Sequence, residues 1–195
     1  MSGASQTASA LTRFNLAKAK VLALDDNVQS LAILSQILLG FGVGMSSKCA
    51  TAGEARLLLE RETYNLVILD DQLPGESGFD LAESIRREPK SRNFTVPIIL
   101  VSGNPTERTV LKARNCGANF VIAKPIVPGI VLDRIEWLAR SDRGFVVSDN
   151  YRGPDRRNHN GPLPDGVSER RLDKLRLLEA PERTLSQDEV NSLFD

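Results

Sequence analysis

Residues 18–140 predict an α/β fold, a doubly wound five-stranded parallel sheet, and three observations carry that prediction. Five short apolar runs are unbroken rather than alternating, the pattern of strands buried on both faces. Segments with apolar residues at three- and four-residue spacing lie between them, which reads as helical crossovers. Four of the five runs end at polar, chemically competent residues: Asp25 and Asp26, then Asp70, Ser102 and Lys124. Crossovers between parallel strands are almost always right-handed, so the alternation also determines which face each helix covers.

In chain order, residues 1–17 are small, polar and unpatterned, and are expected to form a disordered arm. Val21–Leu24 is the first strand, ending at Asp25-Asp26-Asn27. Leu31, Leu34, Ile37 and Leu38 mark a helix that closes at Gly40. Val43–Cys49 is a weaker strand, and Thr51-Ala52-Gly53-Glu54 has the spacing of a capping box opening a helix through Leu57, Leu58 and Leu59. Leu66–Leu69 runs into Asp70, and the chain turns at Pro74-Gly75. Ser77 is the expected N-cap of a helix reaching Arg87, stopped by Pro89. Val96–Val101 is the fourth strand, with Pro97 near its start, where proline is tolerated. Asn104-Pro105 is expected to cap and start the next helix, which ends near Asn115–Gly117. Phe120–Ile122 is the fifth strand, ending at Ala123-Lys124-Pro125, and a last helix over 127–140 carries the sole tryptophan, Trp137.

Composition excludes several classes. The chain has 195 residues, with Lys+Arg and Asp+Glu equal at 25 each, so no net field draws it to DNA or an anionic membrane. No apolar run is long enough to span a bilayer, and no basic segment leads into an apolar one near the N-terminus. The expectation is a cytoplasmic protein without membrane insertion. Cys49 and Cys116 are isolated and read as reduced core thiols. With His159 the only histidine, neither a zinc site nor a Cys-His nucleophile pair is expected.

In a parallel sheet all the strand-end residues share one edge, and open α/β sheets bind ligands at that edge. Clustered carboxylates repel, and Mg²⁺ suits them because it takes hard oxygen ligands and keeps several waters. A lysine adds positive charge and a serine hydroxyl can hydrogen-bond an oxyanion. Such a set suits formation of an acyl phosphate on a carboxylate. Each residue alone reads more readily as a loop meeting solvent; acid pair, acid, hydroxyl and lysine in that order do not.

These residues resemble the receiver domain of bacterial response regulators in two-component signalling. The resemblance rests on Leu24-Asp25-Asp26-Asn27, Leu69-Asp70 with Pro74-Gly75, Val101-Ser102-Gly103, Gly117-Ala118 and Lys124-Pro125, and covers residues 18–140. It implies a flavodoxin-like strand order 2-1-3-4-5 and Mg²⁺ as cofactor. It further implies Asp70 as phosphoacceptor, with neighbouring Asp71 a distant second. Asp25, Asp26, Asp70 and the backbone carbonyl of Gln72 are implied as metal ligands, and Ser102 and Lys124 as phosphate-contacting residues. Gln72 and Asn104 match positions that adjust phosphoryl lifetime in the family. A histidine kinase or histidine phosphotransfer protein is the implied donor, and the chain is a signalling module rather than a turnover enzyme. The family usually has Tyr or Phe three residues before the lysine; this chain has Val121, which is β-branched and stiff.

Residues 141–195 read as a largely disordered extension, too broken by glycine and proline for a DNA-binding output domain. Two parts of it have further readings. Arg152, Arg156, Arg157, Arg170 and Arg171 belong either to a solvated linker or to a phosphate- and guanine-recognising segment, resembling receivers whose arginine-rich tails bind a cyclic dinucleotide. Near 186–194, Ser186 and Glu189 have capping-box spacing, Leu185 and Val190 that of a staple, and Val190, Leu193 and Phe194 share one face. A helix this short needs a groove to order against. The stretch resembles the motor-switch-protein peptide that binds chemotaxis receivers, which implies the flagellar motor, another receiver or this chain's own receiver as its partner.

Overall fold

The computed structural model describes residues 16–141, 143–156 and 184–194, and its elements follow the predicted alternation. In chain order they are β1 (Lys20–Leu24), α1 (Val28–Gly40), β2 (Met45–Cys49), α2 (Ala52–Arg61) and β3 (Leu66–Asp70). A two-strand ribbon follows, β4 (Gln72–Leu73) and β5 (Glu76–Ser77), leading into α3 (Gly78–Arg87). Then come β6 (Ile98–Ser102), α4 (Glu107–Asn115), β7 (Phe120–Ala123) and α5 (Pro128–Arg140). The extension contributes β8 (Phe145–Val147), β9 (Arg152–Pro154) and α6 (Gln187–Ser192).

The five long strands form one parallel sheet in the order β2-β1-β3-β6-β7. β3 and β6 are buried along their whole length, as unbroken apolar runs require. β2 is mostly exposed, and its polar Ser46, Ser47 and Lys48 suit an edge. From β1 the chain steps outward to β2, then crosses back to β3 and continues through β6 to β7. Right-handed crossovers therefore put α1 on one face and α2, α3 and α4 on the other. The direction reverses between β1 and β3, so a crevice opens at their carboxyl ends.

Local chemistry sets the helix starts. Asn27 Oδ1 accepts from the Gln29 and Ser30 amides at 2.9 and 3.1 Å, and Ser77 with Asp80 closes a capping box. At α2 Thr51 caps as expected, but Glu54 reaches one residue further back to accept from the Ala50 amide at 2.9 Å. The expected start of α4 at Asn104-Pro105 is corrected. Thr106 is the N-cap, its hydroxyl accepting from the Thr109 amide at 3.2 Å. Asn104 and Pro105 stay in the loop before it, where the Asn104 carbonyl accepts from the Thr109 hydroxyl at 3.0 Å.

Arg86 braces one side of the core. It is 2% exposed, and its guanidinium donates to the carbonyls of Gly117, Phe94 and Val96 at 3.1, 2.8 and 2.7 Å. It also lies against the Phe145 ring, 5.3 Å from the centroid. Burial pulls its pKa down to about 10, so it remains charged at neutral pH, held by carbonyl dipoles. Cys49 and Cys116 are free buried thiols, each pushed up to about 12 chiefly by burial.

Two pieces of the extension pack on this core. The β8–β9 hairpin sets Phe145 against Phe94, ring centroids 5.0 Å apart, and brings Gly153 onto Gly117. A Cβ on Gly153 would lie 2.7 Å from the Gly117 Cα, so backbone meets backbone there. Leu185, Val190 and Phe194 are buried with the core of the sheet domain, the Phe194 ring 5.7 Å from that of Phe120. Residues 157–183 of the extension and residues 1–15 of the N-terminal arm lie outside the described residues, while Leu16 packs against the core and its carbonyl accepts from the Ala19 and Gly44 amides.

Arg86→Ala would strand three buried carbonyls and leave a void beneath Phe145. Each lost charge-assisted bond is worth about 1.5–3 kcal/mol, so a stability loss of about 3 kcal/mol or more is expected, measured by urea unfolding.

Candidate functional site

The carboxyl ends of β1, β3, β6 and β7 converge at the crevice, and backbone bonds one residue beyond the strands keep the side chains there. The Asp25 amide donates to the Cys49 carbonyl, the Asp71 amide to Val101, and the Lys124 amide to Ser102 at 2.7 Å. Asp25, Asp26 and Asp70 each bring a carboxylate oxygen into one group spanning no more than 4.8 Å. Asp25 and Asp70 are buried and Asp26 is exposed. Lys124 Nζ lies 3.0 Å from Asp25 Oδ2 and 3.0 Å from Asp70 Oδ1, bridging the two strand ends. The other Asp25 oxygen accepts from the Asn27 amide at 2.9 Å, tying the acid to the start of α1.

One ammonium shared between two acids does not neutralise this edge. Burial raises the Asp70 carboxyl to about 6; the Lys124 bond opposes the rise, and the charges of Asp25 and Asp71 add to it. For Lys124, burial acts downward, but its bonds to Asp70 and Asp25 prevail and hold its pKa above the ordinary value. The donor set suits a small hard cation: three carboxylates from two strand ends, one of them open to solvent.

Asp71 lies outside this group. Its Oδ2 accepts from Ser102 Oγ at 2.7 Å, while Oδ1 is buried without a hydrogen-bond partner. Burial raises its pKa, and the Ser102 bond partly offsets that. Ser102 itself is fully buried and accepts from the Asn104 amide at 3.2 Å. Gln72 follows in β4 with an exposed side chain, and Asn104 lies in the β6–α4 loop. Val121 is buried within β7. Asp25, Asp26, Asp70 and Lys124 are thus brought together, with Ser102 one strand away and engaged to Asp71.

Sequence reasoning missed Gly78. A Cβ there would lie 2.0 Å from the Asp70 carbonyl oxygen, and the Gly78 amide donates to the Asp71 carbonyl at 3.1 Å. The start of α3 therefore presses directly on the backbone of the acid, which needs a residue without a side chain. The signal was a glycine immediately after the Ser77 cap. The arginines divide: Arg156 stacks over the Tyr151 ring at 3.5 Å and Arg152 donates to the Arg87 carbonyl at 3.3 Å, while Arg157, Arg170 and Arg171 lie outside the described residues.

A parallel sheet with an acid cluster and a bridging lysine at its carboxyl edge defines a phosphate- or metal-handling α/β domain. The chain belongs to the response regulator receiver domain family, whose model matches residues 21–136. It is 29% identical over 108 residues to the probable chemotaxis protein CheY of Rhizobium etli, covering 55% of this chain and 82% of that one. It is 27% identical over 129 residues to the sensory/regulatory protein RpfC of Xanthomonas campestris, covering 66% of this chain but only 18% of RpfC. A CheY-like receiver domain structure from Methanospirillum hungatei superposes with a TM-score of 0.56 at 30% identity, over 62% of this chain and 94% of that one. Receiver domains are signalling modules of two-component phosphorelays; they bind Mg²⁺ at the acidic pocket and interact with histidine kinases or phosphotransfer proteins. No described helix is long and apolar enough to cross a membrane.

Below 3.8 the Asp70 carboxyl is protonated whether the chain is folded or not; between 3.8 and about 6 the folded state keeps a proton that the unfolded chain releases. Stability therefore falls as pH rises through that window and is level above it. Asp70→Asn, without metal, is expected to melt higher than wild type at neutral pH, by about 1–2 kcal/mol. The advantage should vanish near about pH 4. Thermal unfolding in chelator across this range measures it.

Proposed function

We propose that the chain is a response regulator that accepts a phosphoryl group on Asp70 from a histidine kinase or histidine phosphotransfer protein. It signals by protein–protein contact. The observation that carries this reading is the Lys124 bridge, 3.0 Å to Asp25 and 3.0 Å to Asp70, inside a carboxylate cluster at the β1/β3 crevice.

In the transfer, an Asp70 carboxylate oxygen forms a bond to phosphorus while the bond from phosphorus to the donor imidazole nitrogen breaks. The nitrogen leaves with the electron pair and takes a proton from solvent. Asp25, Asp26, Asp70 and the Gln72 carbonyl would hold Mg²⁺, which supplies charge neutralisation for the phosphoryl oxygens. Lys124 is positioned to keep one contact to Asp25 while its ammonium meets a phosphoryl oxygen. The Ser102 hydroxyl would exchange its Asp71 partner for a second phosphoryl oxygen. Gly78 lets the α3 N-terminus hold the Asp70 backbone in place during this exchange.

On the same reading the protein acts in the cytoplasm and has a partner of the motor-switch type. The cyclic dinucleotide reading is the weaker one, because Arg152 and Arg156 are spent on contacts within the chain.

Incubation with a small-molecule phosphodonor and Mg²⁺ should label the protein with one acid-stable, base-labile phosphoryl group. Asp70→Asn should abolish the label. Lys124→Ala should slow its formation about 100-fold or more, as expected for loss of a group acting on transition-state charge. An unlabelled wild type, or a label that survives Asp70→Asn, would overturn the reading.

A further inference from the structure

The last described segment is bonded to the receiver at both ends and in the middle. Ahead of α6, Thr184 bridges Thr106, the Leu185 amide donates to the Pro105 carbonyl at 2.8 Å, and Thr184 Oγ1 donates to Asn104 Oδ1 at 3.0 Å. The helix start is satisfied by its own capping box, Ser186 with Glu189. At the other end Arg114 of α4 donates to the Leu193 carbonyl at 2.7 Å and Arg143 to the Phe194 carbonyl at 3.2 Å, which answers the orphan carbonyls of the last turn. Leu185, Val190 and Phe194 face inward and are buried.

Gln187 makes the central contact. Its amide nitrogen donates to the Val121 carbonyl at 3.1 Å and its oxygen accepts from the Ala123 amide at 2.6 Å. β7 is the outer strand of the sheet, so these are two free ladder positions, and one side-chain amide fills both as a neighbouring strand would. The residue after Ala123 is Lys124.

The segment also grips the loop that leads from Ser102. Ser102 Oγ holds the Asn104 amide; Asn104 Oδ1 and the Pro105 carbonyl hold Thr184 and Leu185. A change of partner by the Ser102 hydroxyl therefore moves the same short loop that receives the tail.

We propose that residues 184–194 are a self-ligand for the surface formed by the β6–α4 loop, α4 and the edge of β7, and that its docking and phosphorylation of Asp70 oppose each other. The device rests on the reading of Asp70 as phosphoacceptor. With Asp70 unmodified, Ser102 stays with Asp71, the loop is in register with Thr184 and Leu185, and Gln187 covers β7. With Asp70 phosphorylated, Ser102 turns to the phosphate, the loop shifts, and the segment leaves. The surface it uncovers accepts a capped helix of about two turns with a glutamine at its first position and apolar anchors three and seven residues after it, the spacing of Gln187, Val190 and Phe194. Linkage requires reciprocity: weakening the tail contact must tighten binding of a phosphate mimic at Asp70.

The test uses the full-length chain, with amide exchange at Ala123 followed by NMR and beryllofluoride with Mg²⁺ as the phosphate mimic. The Ala123 amide should be protected in the wild type, exposed in Gln187→Ala, and exposed in the wild type once the mimic is bound. Gln187→Ala and Thr184→Val should each bind the mimic about five-fold tighter or more, the low end of ordinary coupling between sites. Equal Ala123 exchange in wild type and Gln187→Ala would show that the segment does not dock, and would overturn the proposal. Tail-dependent exchange with unchanged or weaker mimic affinity in the variants would overturn the coupling. Failure of every form to bind the mimic, read from the Ser102 amide, would remove the reading of Asp70 and the coupling with it, while Ala123 exchange still reports docking separately.

Discussion

The constraint on which the rest depends is the burial of carboxylates at the carboxyl edge of a parallel sheet with one ammonium between them. Lys124 sits 3.0 Å from both Asp25 and Asp70, yet the Asp70 carboxyl is still raised to about 6. Attraction to the lysine is outweighed by lost hydration and by neighbouring acids. Such an edge is under electrostatic tension, and it gains by taking up a cation or by converting a carboxylate into a group with more ways to share its charge. The sheet must be rigid to hold that tension, which is why the ladder continues one residue past the strands at Asp25, Asp71 and Lys124.

Much of this was legible in the sequence because the pattern and the chemistry coincide. Apolar runs of four residues ending in acid, hydroxyl or lysine state both where a strand stops and what stands at its end. Asp25, Asp26, Asp70 and Lys124 meet in space as their order implied. What was not legible came from tertiary choice. Thr106 rather than Asn104 caps α4, because Asn104 and Pro105 are drawn into the loop where Asn104 accepts from Thr184, a residue 80 positions away. Gly78 gave no periodicity signal, since its role is a close approach to the Asp70 carbonyl. Arg86 is one of two basic residues in the last turn of α3, and its three carbonyl partners come from Phe94, Val96 and Gly117, which no local rule associates with that helix.

The extension shows the same limit. Its capping box and apolar spacing were readable as a helix needing a surface, but not which surface. The answer depends on β7 being an outer strand and on Arg114 and Arg143 standing where the helix ends. An outer strand in a buried position exposes backbone donors and acceptors that attract pairing from other chains. A glutamine side chain on the Val121 carbonyl and the Ala123 amide satisfies them within the molecule.

Val121 then takes on a different meaning. A valine cannot swing between distant rotamers, so its side chain is a poor carrier of a signal from the acid cluster. Its carbonyl is another matter, because that oxygen and the Ala123 amide are the points at which Gln187 grips the strand, one residue from Lys124. A shift of Lys124 toward a new charge at Asp70 would be felt first in the backbone of Ala123. In this chain the backbone of β7 and the loop after Ser102 both lead from the acid cluster to the tail, and neither route needs an aromatic side chain.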